Sequence, residues 1–285
     1  MNEAVPPAAA GPRPLAALQC LSGDVRAGLI IVLPIVFLGV LVPLLSPYDP
    51  TSTAGAPLVP PGATNLFGTD DLGRDVFTRT FTATRVDATL ALIGVAVPLI
   101  VGTLLGGLLG TTRSAAVNAV WMTVIDGINA FPAIVLVIAI VAIVGPGVQG
   151  ILIGLILTNW ARYARIARTR SLTLREADFI HATDVLGYSR GRVLLRHIFP
   201  NVYTETLAYG VSDFTLVIIT VAGLSFFGIG VQPPAPEWGA MMASGRLLLQ
   251  QAWWITVAPG LALSLTAVGV GLLAEGIVRQ VRGET

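Results

Sequence analysis

The stretch AGLIIVLPIVFLGVLVPLL, residues 27–45, decides the fold class. It holds 19 residues and no charge. At about 1.5 Å of rise per helical residue it reaches across a hydrocarbon layer about 30 Å thick. The competing reading is a secretory leader. Leader cores run to about 7–15 apolar residues, and this run is longer, so it is read as a retained transmembrane helix. Working outward, further apolar runs predict helices over 88–110, 119–144, 203–223 and 253–275, with a shorter one over 148–163. Composition agrees: 54% of the 285 residues are hydrophobic, 12% are charged and the mean hydropathy is +0.79. Soluble domains carry about 25% charge. The chain is therefore predicted to be an all-α integral membrane protein, with 1–26 as a mobile tail and 281–285 as a short C-terminal tail.

Residue usage removes several function classes. All 17 basic residues are arginine, so no lysine exists for a nucleotide-binding phosphate loop or a Schiff base. The single cysteine, Cys20, forms no internal disulfide. His181 and His197 lack the spacing of a metal motif, and no metal site is expected. No G-x-S-x-G turn is present, nor a histidine inside a predicted span, which leaves an intramembrane enzyme without its parts.

Charge placement sets the topology. Between the fourth and fifth predicted helices lie Arg162, Arg165, Arg168, Arg170, Arg175, Arg190, Arg192 and Arg196 against Glu176, Asp178 and Asp184, a net +5. Positive residues favour the cytoplasmic side, and Arg13 and Arg26 place the N-terminus there too. Returning to that side requires 148–163 to cross, which gives six spans, cytoplasmic termini and a multi-pass protein of the plasma or inner membrane. Arg74, Arg79, Arg85 and Arg246 then lie outside. Trp121, Trp160, Trp253 and Trp254 fall near predicted helix ends, where amphipathic rings prefer to sit. The external loop 46–87 opens with Pro47, Pro50, Pro57, Pro60 and Pro61 as extended coil. Leu72, Val76, Phe77 and Phe81 then follow at helical spacing and predict a short interfacial helix. A second external stretch, 228–251, holds Pro233, Pro234, Pro236 and Trp238.

Three features bear on function. Gly102, Gly106 and Gly110 recur every four residues and predict a face for close helix packing. Asp126, Glu205 and Asp213 are carboxylates in or near predicted spans. They suit helix-end solvation or polar contacts between helices, and a proton relay through Asp126 and Asp213 is the alternative. The third feature is the basic segment 171–201. Thr173 followed by Glu176 reads as a capping box, and Gly187 suits the position just past a helix end. Between them Phe179, Ala182, Thr183 and Leu186 fall on one narrow face. A short cytoplasmic helix with a small, half-apolar face points to docking into a partner's groove.

Several motifs in order carry a resemblance. The segment FIHATDVLGYSRGRVLLRHIFPN, residues 179–201, resembles the E-A-A loop of membrane subunits of bacterial ATP-binding-cassette importers, with Gly187 and Pro200 at matching spacing. His181, Thr183 and Phe199 replace signature residues, and His197 stands as it does in the peptide-importer branch. FGTDDLGRDVFTRTFTATRVDATL, residues 67–90, is similar to that branch's G-T-D-x-x-G-R-D signature, here Gly68, Thr69, Asp70, Gly73, Arg74 and Asp75. GLSFFGIGVQPPAPEWGAMM (223–242) and AWWITVAPGLAL (252–263) also match. LLAEGIVRQ (272–280) departs from the usual L-L-G-D-G-L-R-D.

The resemblance is to the C-type permease subunit of dipeptide, oligopeptide and nickel importers. It implies a type I ABC importer permease fold, with a cytoplasmic coupling helix between helices 4 and 5. It also implies a homologous B-type permease subunit, two cytoplasmic ATPase subunits and an external substrate-binding protein as partners. ATP and magnesium would be used by the ATPases alone, with no cofactor on this non-catalytic chain and no nucleic acid. Phe179, His181, Ala182, Thr183, Asp184, Leu186, Gly187 and Pro200 would form the coupling surface. The cargo would be di- or oligopeptides; the alternative is a proton-coupled secondary transporter using Asp126 and Asp213.

Overall fold

A computed structural model describes residues 22–112 and 114–282. Arg113 and most of the predicted N-terminal tail, with Arg13 and Cys20, lie outside the described residues. Every regular element among those residues is helical. In chain order they are α1 (Gly23–Leu45), α2 (Val76–Thr111), α3 (Ala115–Ala130), α4 (Ala133–Val144), α5 (Val148–Arg175), α6 (Asp178–Val185), α7 (Arg190–Val193), α8 (Phe199–Phe226), α9 (Trp238–Gly245) and α10 (Trp254–Arg282).

Four helical stretches are long and apolar enough to cross a membrane: Gly23–Leu45, Val76–Thr111, Gly191–Phe226 and Trp254–Arg279. The pair α3 and α4 qualifies jointly, bent by 92° at Phe131 and Pro132. The run predicted as one helix over 119–144 is thus broken. Pro132 has no N–H to continue the ladder, and it excludes the residue before it from helical geometry. The weak run at 148–163 becomes the 28-residue α5. Its length, about 42 Å, is ample for a crossing, but its second half carries Arg162, Arg165, Arg168, Arg170 and Arg175.

Other boundaries shift for local reasons. Ser22 caps α1 by accepting from the Val25 N–H, so residues 23–26 are helical rather than tail. The predicted interfacial helix is not separate. Asp75 caps α2 at Val76, and nothing breaks the helix before Thr111, so Phe77 and Phe81 belong to α2 while Leu72 precedes it. Trp160 lies in the middle of α5, not at an end, and packs edge-to-face on Trp121 of α3. The second proline-rich stretch contains α9, whose N-terminus Glu237 caps through the N–H groups of Gly239 and Ala240.

The glycine face of α2 organises the bundle. A Cβ at Gly102 would lie 2.4 Å from the Trp160 carbonyl oxygen, at Gly106 2.1 Å from that of Ala164, and at Gly110 2.4 Å from the Ser171 Cβ. Backbone meets backbone along this seam between α2 and α5, which only glycine permits. Thr103 on α2 also donates to Thr206 on α8 at 3.0 Å. One apolar core, including Leu90, Val95, Val137, Ile151, Leu155, Ile218, Leu224, Trp238 and Ile255, joins α2, α4, α5, α8, α9 and α10. The other long contact, α1 against α10, closes with Arg279 reaching Asp24 at 2.9 Å and Glu275 at 3.0 Å. The divergent 272–280 segment therefore holds the start of α1.

Candidate functional site

At the arginine-rich end of the bundle, α5 passes into α6 through Glu176 and Ala177. The predicted capping box is not used. Thr173 is inside α5, its hydroxyl donating to the Thr169 carbonyl, and Glu176 is the residue that ends the helix. The cause is the buried stripe Ala164, Ala167, Ser171 and Leu174, whose packing keeps the helix running past Thr173. Gly187 does what its sequence position predicts. It adopts a left-handed φ of +73°, and the Tyr188 N–H reaches back to the Thr183 carbonyl at 3.0 Å, the six-to-one closure of a Schellman cap.

The face of α6 splits. Phe179 (47% exposed), Ala182 and Leu186 (68% exposed) point outward, as predicted. Thr183 does not join them. It is buried, its hydroxyl donates to the Ile180 carbonyl, and Ile180 packs in a small core with Ala167, Leu174, Val193, Ile198 and Val202. The side chains of His181 and Asp184 lie outside the described residues. Beyond Gly187, residues Leu194–Ile198 form a π-helical turn that leads to Pro200 in the first turn of α8. A proline has no N–H for residue 196 and crowds that carbonyl, and the wider turn accommodates both effects. Tyr188 stacks over His197 and meets the Arg192 guanidinium at 5.3 Å, folding the returning strand of chain against the helix pair.

At the opposite end, the Gly68–Asp75 signature is an internal brace. Asp70 accepts from the N–H groups of Leu72 and Arg74 and from the Arg74 side chain at 2.7 Å, with Arg79 at 3.5 Å. Arg79 also donates to the Pro50 and Pro234 carbonyls, joining both proline-rich stretches. Asp75 accepts from Thr78 N–H and from Asn65, each at 2.8 Å. The Thr69 hydroxyl donates to the Ala56 carbonyl and accepts from Val59 N–H, and its own carbonyl accepts from the Trp254 indole at 3.0 Å. Gly68 and Gly73 both have positive φ and sit against the Val59 and Gly55 carbonyls. Thr69, Asp70, Arg74 and Asp75 are all buried, so they hold the loop on α2 and α10 rather than present themselves to a ligand. The exposed Asp49 accepts from the Thr51 hydroxyl and the Thr51 and Ser52 N–H groups, which hold its carboxyl below the ordinary 3.8.

Between the two ends runs a seam of charge on α3, α5 and α8. Asp126 meets Arg165 at 2.6 Å and Glu205 meets Arg170 at 3.0 Å. Asp213 accepts from the Tyr163 hydroxyl at 2.9 Å and lies 4.0 Å from Arg162. The three carboxylates thus make polar contacts between helices, each with its own arginine, and among the described residues no line of hydrogen bonds joins Asp126 to Asp213. Sequence reasoning did not single out Arg162, Tyr163 or Asn159 as partners in a site. Their signal was an asparagine, an arginine and a tyrosine within five residues at the end of the apolar run 148–163.

Comparisons with known proteins bear on this architecture. Residues 102–283 match the family model described as "Binding-protein-dependent transport system inner membrane component". The dipeptide transport system permease protein of Alkalihalophilus pseudofirmus is 35% identical over 252 residues, 88% of this chain and 82% of the relative. The di/tripeptide transport system permease protein of Pseudomonas aeruginosa is 34% identical over 257 residues, covering 88% and 84%. The glutathione transport system permease protein of Pectobacterium atrosepticum is 34% identical over 217 residues, covering 76% and 72%.

Proposed function

The chain belongs to the family of binding-protein-dependent transport system inner membrane components, and on that premise we propose that it is one permease subunit of an ATP-binding-cassette importer for di- or oligopeptides. Six crossings serve this reading: α1, α2, the bent pair α3 and α4, α5, α8 and α10. Both chain ends and α6 then face the cytoplasm, and the braced loop 46–75 faces outward, where a binding protein delivers cargo. A second, homologous permease subunit supplies the other half of the pathway. Two ATPase subunits, which alone use ATP and magnesium, each receive one coupling helix.

The observation that carries the reading is α6 itself. It is a capped helix with Phe179, Ala182 and Leu186 outward, tied by two residues to α5 and by the α7 turn to α8. A partner groove closing over that stripe moves two crossing helices together. Switching a two-state equilibrium from 1:99 to 99:1 takes about 5.5 kcal/mol of differential binding, which demands a firm grip on α6.

The test is Ala182→Asp in the assembled complex. The buried carboxylate in the docking groove is expected to abolish coupled peptide uptake while the chain still inserts and the ATPases still hydrolyse ATP. Uptake at the wild-type rate would remove α6 from the coupling role.

A further inference from the structure

We propose that Arg162 receives the C-terminal carboxylate of the peptide at the middle of the pathway, an assignment that rests on the peptide-importer reading above. Arg162 is 14 residues into the 28-residue α5, and Asp213 is 14 residues into the 28-residue α8. Both therefore sit about 21 Å from the N-terminal ends of their helices, inside the helix bundle rather than in either loop region. A guanidinium there does not face lipid; it faces water or protein. The Arg162 side chain is 35% exposed while Asp213 is 1% exposed. The cation is thus the accessible member of the pair and the anion its buried anchor.

The pair is held open. Tyr163 fixes one Asp213 oxygen with a 2.9 Å hydrogen bond, and the other has no hydrogen-bond partner and lies 4.0 Å from the guanidinium. Arg165 and Arg170 differ, being closed on their carboxylates at 2.6 Å and 3.0 Å. Next to Arg162 is a cavity of about 40 Å³ bordered by Asn159, Asp213, Thr220 and the first turn of α4. No side chain caps that turn, because Pro132 stands at the N-cap. Its positive end and the guanidinium converge on a space that admits a carboxylate oxygen or a water molecule. A planar fork is the group that binds a carboxylate through two hydrogen bonds.

The experiment uses the complete complex in proteoliposomes, trapped with vanadate after delivery of a dipeptide. The probe's C-terminal residue is p-benzoylphenylalanine with a free carboxylate. Illumination is expected to label α5 and α8 near Asn159 and Thr220. Arg162→Gln should lower that labelling about tenfold or more, the scale of a lost charge-assisted contact, and Arg162→Lys should restore part of it. Co-purification of all subunits establishes that each variant assembles. If Arg162→Gln does not assemble, Arg162→Lys alone decides: it keeps the charge but loses the fork, and reduced labelling at the same two residues is expected. Equal labelling in wild type and variants, or labelling elsewhere on this chain, overturns the assignment. Labelling confined to the second permease subunit also overturns the assignment, whereas an absence of ATP-driven peptide uptake by the wild-type complex overturns the peptide-importer reading instead.

Discussion

Replacing Gly106 by alanine is expected to loosen the bundle at the seam between α2 and α5. The new Cβ would lie 2.1 Å from the Ala164 carbonyl oxygen, 2.7 Å from its Cα and 2.8 Å from its carbonyl carbon. All three are backbone atoms of a helix, so no rotamer change relieves the clash. α2 and α5 must part by about an ångström, and a gap of that size forfeits about a quarter to a half of each van der Waals well along the contact. Overpacking costs about 1–3 kcal/mol, and a backbone obstacle places this case at the upper end. A helical domain of this size then loses about 6–12 °C in melting temperature. The assay is the fraction of protein eluting as a single species after heating in detergent, read by fluorescence size-exclusion chromatography. Gly127→Ala is the control. Nothing lies within 4 Å of a Cβ there, and alanine is the better helix former by about 1 kcal/mol, so its melting temperature should hold or rise. Ala164→Gly should not rescue Gly106→Ala, since the obstruction is backbone. Equal melting of the Gly106 and Gly127 variants would refute the account of the seam.

The brace at the loop-bearing end makes its own prediction: Asp75→Ala removes the α2 cap and strands the Asn65 amide, at a cost of about 2–4 kcal/mol. That loss should appear as faster proteolysis within 46–75, with the variant of the exposed Thr64, Thr64→Ala, cut at the wild-type rate. At Gly187 a side chain has open space but an unfavourable φ. Gly187→Val should therefore cost about 1–2 kcal/mol of cap stability and Gly187→Asn less, as read by amide exchange over 178–188. The Asp49 turn has a depressed carboxyl, so its contribution is complete above 3.8 and lost as pH falls through the lowered value. Amide exchange at Thr51 and Ser52 should be insensitive to pH-dependent opening between pH 5 and 8 and show opening only in acid.

The sequence disclosed most where spacing alone decides geometry. Gly102, Gly106 and Gly110 read as a packing face because a four-residue repeat lines one side of a helix, and that face meets α5. Gly187 read as a helix stop because only its position, not its neighbours, was needed. Thr173 misled because a capping box is a local signature, whereas the burial of Ser171 and Leu174 against distant elements kept α5 helical. Thr183 shared a face with Phe179 and Leu186 on an ideal wheel, but which edge of that face turns inward depends on where α8 returns. The Gly68–Asp75 signature is a buried brace whose partners, Ala56, Val59, Asn65 and Trp254, are spread over nearly 200 residues of chain, which local spacing does not disclose. Arg162 was counted as one topology charge among eight; only the facing of α5 and α8 distinguishes it.

The contact at Ala164 divides α5 unequally. Eleven residues separate it from Arg175 and sixteen from Val148, arms of about 16 Å and 24 Å. If glycine and alanine backbones serve as a fulcrum there, a nudge of the short arm swings the far tip about one and a half times as far, and Arg162, barely past the pivot, hardly travels. A stiff rod on an off-centre bearing can thus pry open a distant mouth while leaving whatever is held at its hub almost undisturbed.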